Sequence, residues 1–512
     1  MANRNPGITD DESKASDSVP RPLMASKPGS VRAILLYRTC DHFSAGFLMV
    51  GALFAPWAFG TTQLWSIWTM NSFGYLLLGL LVLKVILRKL YSLRPDRWDP
   101  SPGLTLTLKW LTAAILTYML TAALNARAVY NPLSMDFSFR PHLSWLPHSY
   151  DQAKSWQAFA NYLALAGFFW NLRDWLLGKT DQETRFERSG NPANSRNRAL
   201  PARIRWLLWI LCLNGALLAT EAIIQRVDGG GKLLWLVEPR VNKEAISQLG
   251  PYAYRANGAQ YFNLVWPLGM GLWWMLRREA RQSRDAEAPP IKSKAHVLLP
   301  AVLLMAACPI ISASRGGAVV TVAGLFGAAA IVVTGLRRRH PAVKFASLLF
   351  FASVLSTGLY LGWDQLSDRL QTTQEAYLGR DETYTTARNI ARDYPLFGTG
   401  PGSFESVFQL YRTSTDEYWP AQLHNDWLET LVTFGWLGSA LIALAFICVV
   451  GRWLLPGEIS VGWRFPACIW LALGGCLIHA RFDFPFQVYS ILHLFLMECA
   501  ILSVLSRRPP PR

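Results

Sequence analysis

The sequence predicts an all-α, polytopic membrane helix bundle of about twelve transmembrane helices with one large outer loop, and three observations carry the prediction. Of the 512 residues, 51% are hydrophobic and only 16% are charged. Stretches of roughly 17 or more residues nearly free of charge recur along the chain, long enough for a helix to cross the hydrocarbon core. The longest polar segment is too short to form a domain with its own core.

The elements follow in chain order. Residues 1–33 are polar and rich in Ser, Pro and Asp, which reads as a disordered inner tail; a signal peptide would need an apolar core there. Spans are expected at 43–60, 68–87, 104–124, 157–177, 206–223, 260–276, 296–313, 317–335, 345–363, 431–450, 465–480 and 488–505. The first of them serves as an uncleaved targeting signal. Lys and Arg favour one set of connecting segments by roughly two to one, which places both termini inside. Those segments hold Arg88, Arg94 and Arg97, then Arg185, Arg188, Arg196, Arg198, Arg203 and Arg205. Further along come Arg277, Arg278, Arg281 and Arg284, then Arg337, Arg338 and Arg339, and finally Arg507, Arg508 and Arg512.

Topology also accounts for the formal net charge of +16, because the basic residues are scattered over separate inner segments. A nucleic-acid partner is not needed to explain them. The seven cysteines all fall in or beside spans or on the inner side, so they read as small apolar packing residues and not as a disulfide framework. Tryptophans near span ends, such as Trp57, Trp65, Trp363 and Trp436, fit interfacial anchoring.

Transport is weakly supported. No internal repeat or inverted pair of broken helices is visible. The few ionisable residues within spans, Lys84, Lys109, Glu221 and Glu498, mostly lie near an end and are able to snorkel.

Chemistry is therefore sought in the outer loops at about 125–156, 224–259 and 364–430. In the last, a short helix is expected over 383–393, ending before Pro395 because proline disfavours the helical conformation in its predecessor. Phe397-Gly398-Thr399-Gly400-Pro401-Gly402-Ser403-Phe404 follows. Its glycines, Gly400 and Gly402 among them, allow a tight turn and close approach to a phosphate, or simply a turn between two loop helices. Asp426-Trp427-Leu428-Glu429 has the spacing of a capping box, with Asp426 as cap and Glu429 reaching back. That leaves His424, just outside a helix N-terminus, as a candidate general base or an incidental loop histidine.

Arginines supply the counter-charge. Arg315 sits in the short outer hairpin Ser312-Ala313-Ser314-Arg315-Gly316-Gly317, where it either meets an anion or snorkels to lipid headgroups. Arg388 lies on the loop helix, as a second diphosphate ligand or a solvated surface charge. Arg255 and Arg481, in Tyr254-Arg255-Ala256-Asn257-Gly258 and His479-Ala480-Arg481-Phe482-Asp483-Phe484-Pro485, are further outer-side candidates.

The order of these features resembles the O-antigen ligase and polymerase superfamily of bacterial inner membranes. The resemblance rests on the Ser-Arg-Gly-Gly hairpin, Arg388 followed by residues 393–404, His424-Asn425-Asp426-Trp427-Leu428-Glu429, and Gly435-Trp436-Leu437-Gly438. It covers about residues 255–487 as a catalytic region with a periplasmic loop at 364–430. N-terminal membrane helices at 34–254 precede it, and a last helix with a short cytoplasmic tail follows at 488–512.

The resemblance implies a multi-pass inner-membrane, metal-independent, inverting glycosyltransferase without a cofactor; consistently, the sequence contains no Asp-x-Asp. Its partners would be an undecaprenyl diphosphate-linked glycan, a lipid or glycan acceptor, and membrane lipids. Arg315 and Arg388 would hold the diphosphate, and His424 would orient or deprotonate the acceptor hydroxyl. Ligation to an acceptor and polymerisation of repeat units share this leaving group. A polysaccharide transporter and a non-catalytic assembly partner are the competing classes. The chain ends at Arg512, without the long helical-repeat region of many protein-glycosylating members, which counts against a protein acceptor.

Overall fold

The computed structural model describes residues 28–93, 99, 101–180, 183–184, 200–285, 294–335, 341–371, 373–412, 420–453 and 461–505. Arg94, Arg97, Arg185, Arg188, Arg196, Arg198, Arg337, Arg338, Arg339, Arg507, Arg508 and Arg512 lie outside the described residues, as does the tail up to residue 27.

Helices dominate. In chain order they are α1 (Pro28–Trp57), α2 (Leu64–Tyr91), α3 (Pro102–Leu124), α4 (Gln152–Leu176), α5 (Ala202–Asp228), α6 (Arg255–Asp285) and α7 (Leu298–Ile311). Next come α8 (Arg315–Gly335), α9 (Pro341–Gln371), α10 (Thr373–Asp393), α11 (Phe404–Phe408), α12 (Asp426–Gly451), α13 (Arg464–His479) and α14 (Tyr489–Leu505). Each of the twelve apolar stretches falls on one of them. Among the described residues, five helices (α2, α3, α5, α8 and α12) are long and apolar enough to cross a membrane, and four shorter apolar helices accompany them.

Close helix contacts are made where side chains are small. A methyl added at Gly74 of α2 would sit 2.5 Å from the Ala164 carbonyl of α4, and one at Gly167 would sit 2.3 Å from that of Gly74. Small residues let backbones approach where no hydrophobic drive separates helix from lipid. α6 is the central helix, burying Phe262, Trp266 and Leu268, and it runs antiparallel to α13, with Gly271 against Phe465 at one end and Gln260 against His479 at the other. All seven cysteines are buried and free of disulfides.

The sequence reading needs correction in several places. Lys84 does not snorkel: it is 1% exposed and bridges Asp41 (2.7 Å) and Asp174 (2.6 Å). Arg203 and Arg88 pair with the same two carboxylates, so the charges lock α1, α2, α4 and α5 together. Glu498 is fully buried as well, and Trp57 donates to Asn214 at 2.7 Å, whereas Trp65 at the start of α2, Trp363 within α9 and Trp436 just after the break in α12 are exposed. α1 begins at Pro28, inside the stretch read as tail. The 125–156 segment holds an antiparallel hairpin, β1 (Ala128–Asn131) with β2 (Asp136–Phe139), built on the β-favouring residues Val129, Tyr130, Phe137 and Phe139.

Much of the 364–430 segment is helical. α9 continues to Gln371, and α10 starts ten residues before the expected helix, because Gln374, Glu375, Ala376, Leu378 and Arg380 are good helix formers. The glycine turn after α10 is spliced into a break in α12. Gly435 there has φ 60° and ψ −170°. The carbonyls of Val432 and Thr433 accept from Thr399 N (2.9 Å) and Gly400 N (3.0 Å), while Trp436 N and Leu437 N donate to the carbonyls of Pro395 and Leu396. Tyr118 donates to the Phe397 carbonyl at 2.6 Å and the Phe434 carbonyl at 3.0 Å. Broken backbone bonds in an apolar surround must be satisfied by something, and this segment satisfies them.

Candidate active site

His424 stands where five segments meet: the N-termini of α6, α8 and α12, the middle of α10, and the turn after α13. The helix entry of α12 sets its position. Asn425, not Asp426, is the cap, its side chain accepting from Leu428 N at 3.2 Å. Glu429 reaches back as expected but past the cap, accepting from Leu423 N at 2.8 Å. Asp426 instead accepts from Phe486 N at 2.7 Å, and its own amide donates to the Ala480 carbonyl at 2.8 Å. His424 lies between these anchors with φ 55°, a left-handed backbone costing a non-glycine residue about 1 kcal/mol. Tyr384 of α10 donates to its carbonyl at 3.0 Å.

The ring of His424 is 30% exposed, and its Nδ1 lies 3.0 Å from Asp483 Oδ1. Tyr254, just before α6, donates to Asp483 Oδ2 at 3.3 Å, and His479 Nε2 lies 3.8 Å from the same oxygen. Tyr254 and Phe484 stack at 5.4 Å and present their faces or edges to the imidazole at 5.9 and 4.7 Å. Burial pushes the Asp483 carboxyl up, but hydrogen bonds from His424 and His479 and their charges outweigh it and hold it well below the usual carboxylate range. Burial and the Asp483 charge push the Tyr254 phenol up, so it stays a donor. An ionised carboxylate only accepts, so the hydrogen of the neutral His424 ring sits on Nδ1 and Nε2 presents a lone pair.

Cations surround this group. A methyl added at Gly316 would lie 3.0 Å from His479 Nε2, which seats the start of α8, and hence Arg315, against the same cluster. The hairpin carrying Arg315 is held by Ser314 Oγ accepting from Gly317 N at 3.2 Å. Arg380 of α10 acts electrostatically on Arg315 and on Arg369 at the end of α9. Its guanidinium donates to the Phe482 carbonyl at 3.0 Å. Arg481 is exposed in the turn beside Asp483, near enough for its charge to reach Tyr384.

The other sequence candidates are placed differently. Arg255 donates to the Ile246 carbonyl at 2.8 Å, pinning the segment before α6. Arg388 is exposed, 3.4 Å from Thr385 Oγ1, and stands eight residues, about 12 Å, beyond Arg380 along α10. Gly400 packs on Ser149, where a methyl would meet Oγ at 2.4 Å, and Gly402 faces the Lys154 carbonyl. The amides of Gly398, Thr399, Gly400 and Ser403 all donate to backbone carbonyls, so these hydrogen bonds describe packing and lend no support to a phosphate cradle. Residues missed in the sequence are Asp483, Arg380, Arg369, Tyr254 and Tyr384. Asp483 lay two positions from a candidate, but nothing in the sequence pairs it with a histidine 59 residues away.

A helical membrane bundle with a carboxylate-oriented histidine set among arginines at one end defines a membrane protein equipped for acid–base chemistry beside an anion. Residues 300–443, from α7 to α12, match the family model described as O-antigen ligase, which supports the superfamily that the chain's motifs resemble. The match takes in Arg315, Arg369, Arg380, Arg388 and His424; Tyr254, Arg255, Arg481 and Asp483 lie outside it. No curated protein matches the chain. The family points to a membrane enzyme of surface polysaccharide biosynthesis.

Proposed function

We propose that the chain transfers a glycan from an undecaprenyl diphosphate carrier to an acceptor hydroxyl on the periplasmic side of the inner membrane. The observation that carries this reading is the His424–Asp483 pair, 3.0 Å apart, beside Arg315 and Arg380. The acceptor hydroxyl gives its proton to His424 Nε2 as its oxygen attacks the anomeric carbon. The bond from that carbon to the diphosphate breaks, and the electron pair leaves with the carrier. Attack opposite the leaving group inverts the anomeric centre.

Asp483 keeps the imidazole in the tautomer that accepts this proton and stabilises the imidazolium that follows. A base so placed is worth roughly 10² to 10⁴ in rate. Neutralising the diphosphate is the larger electrostatic task, and in this reading arginines do it where a metal otherwise would. The resemblance assigns Arg315 and Arg388 to the diphosphate. The geometry favours Arg380 beside Arg315, with Arg388 two turns further along α10.

The test is His424→Ala and Arg315→Ala in the native host, with surface glycan read on a gel. Both variants are expected to lose attached polymer if the chain ligates, or to leave one attached unit without a ladder if it polymerises. Normal glycan in amount and length from both contradicts the reading.

A further inference from the structure

The segment after α5 carries an apolar tip that the proposed transfer chemistry does not use. Leu233-Leu234-Trp235-Leu236-Val237 is an uncharged run, in which the amides of Leu236 and Val237 both donate to the Leu233 carbonyl, at 2.9 and 3.2 Å. The two central residues of this turn, Leu234 and Trp235, have positive φ, 51° and 59°. Such a turn normally takes Asn, Asp or Gly there, because most other residues cost about 1 kcal/mol at each position. Local turn chemistry therefore does not explain a leucine and a tryptophan.

The tip is braced and faces outward. Gln225 donates to the Lys232 carbonyl at 2.9 Å, and Gln248 donates to the carbonyls of Gly231 (2.9 Å) and Asn242 (2.8 Å), so both arms are held. Trp235, Leu236, Val237 and Val241 are nonetheless exposed, Leu236 by 74% and Val241 by 73%. A run of exposed apolar residues on a braced turn marks a contact surface.

Its position names the partner. α5 is long and apolar enough to cross a membrane, and Trp206, Leu213, Leu217, Ile224 and Val227 are exposed along one face of it. Thr220 completes the stripe, its hydroxyl turned back to the Ala216 carbonyl at 2.9 Å, which satisfies it without water. Val227 stands 21 residues beyond Trp206, about 32 Å along the helix and close to the thickness of a hydrocarbon core. Asp228 follows, and the Trp235 indole donates to its carboxylate at 3.0 Å, which hooks the tip over the end of the stripe. Tryptophan, apolar with one polar N–H, is the residue of the headgroup boundary. Arg226 donates to the Gln248 carbonyl at 2.9 Å and to that of Ser312 at 3.5 Å, which ties the base of the segment to the hairpin carrying Arg315.

We infer that residues 233–241 dip into the lipid leaflet at the end of the bundle that holds Arg315 and His424, continuing the lipid-facing stripe of α5 past the end of the helix. Acyl chains meet Leu236, Val237 and Val241, while the exposed flanking residues Lys232 and Arg240 keep their charges at the headgroup level.

The test places a spin label at Leu236→Cys of the full-length protein in liposomes of phosphatidylcholine and phosphatidylglycerol. The seven native cysteines are buried, so the new thiol is the one that reacts. Oxygen partitions into acyl chains and a nickel chelate stays in water, so collisions with the two report what surrounds the label. The label is expected to collide with oxygen in preference to the chelate, in the same sense as one at Leu217→Cys on the stripe. Preference for the chelate overturns the proposal, and so does protection from both reagents, which means that protein covers the tip. Should Leu236→Cys fail to fold, Val237→Cys beside it gives the same reading.

Discussion

His424 Nδ1 and Asp483 Oδ1 are 3.0 Å apart, although one residue precedes α12 and the other follows α13. The contact gives the histidine a defined tautomer and a defined direction. It also ties the part of the chain that matches the O-antigen ligase family to a turn beyond it.

Asp483→Asn keeps the size of the side chain but lets its amide donate to Nδ1, favouring the wrong tautomer. Transfer should fall by about 10² to 10⁴ in kcat, with the donor KM changed little. Steady-state kinetics with a lipid-linked donor checks this, and a loss under threefold counts against the pairing.

The same residue predicts an acid-side stability effect. The Asp483 carboxyl is held below its unfolded value of about 3.9, so its stabilisation is fully present above that pH and is lost as pH falls towards the folded value. The difference in unfolding temperature between wild type and Asp483→Asn should shrink as pH falls below about 4. A difference that grows below about pH 4 contradicts the sign.

Arg380 and Arg388 share α10, but Arg380 is the one that faces Arg315 and the 480–484 turn. Arg380→Ala should lower kcat/KM for the donor by roughly 10- to 100-fold, the worth of a hydrogen bond to a charged group, and more than Arg388→Ala does. The reverse ranking would return the diphosphate to Arg388.

Gly435 and Gly398 meet backbone to backbone, each with positive φ, and a methyl on either would lie 2.6 Å or less from the other segment's main chain. Gly435→Ala should destabilise the protein by about 1–3 kcal/mol through strain and lost fit. Gly402→Ala meets its nearest atom at 3.2 Å and should cost less. Thermal unfolding of the two variants distinguishes these, and equal stability argues against the splice.

The bundle was legible because apolar runs of membrane length leave a chain few options, and every expected span coincides with a helix. His424 and Arg315 stood out for the same reason: fixed polar groups at span ends need an explanation. What stayed hidden depends on contacts between distant segments. Lys84 looked like a snorkelling residue because its partners lie on α1 and α4, and Arg380 went unnoticed because α10 begins well before the helix expected from Pro395. The glycine turn carried a correct signal, close backbone approach, but its partner is the broken helix α12.

The most direct test is the rate at which purified wild-type protein and His424→Gln release undecaprenyl diphosphate from a lipid-linked glycan in the presence of acceptor. The variant should bind donor as tightly as wild type and turn it over at least about 10²-fold more slowly. Wild-type release by His424→Gln contradicts the account.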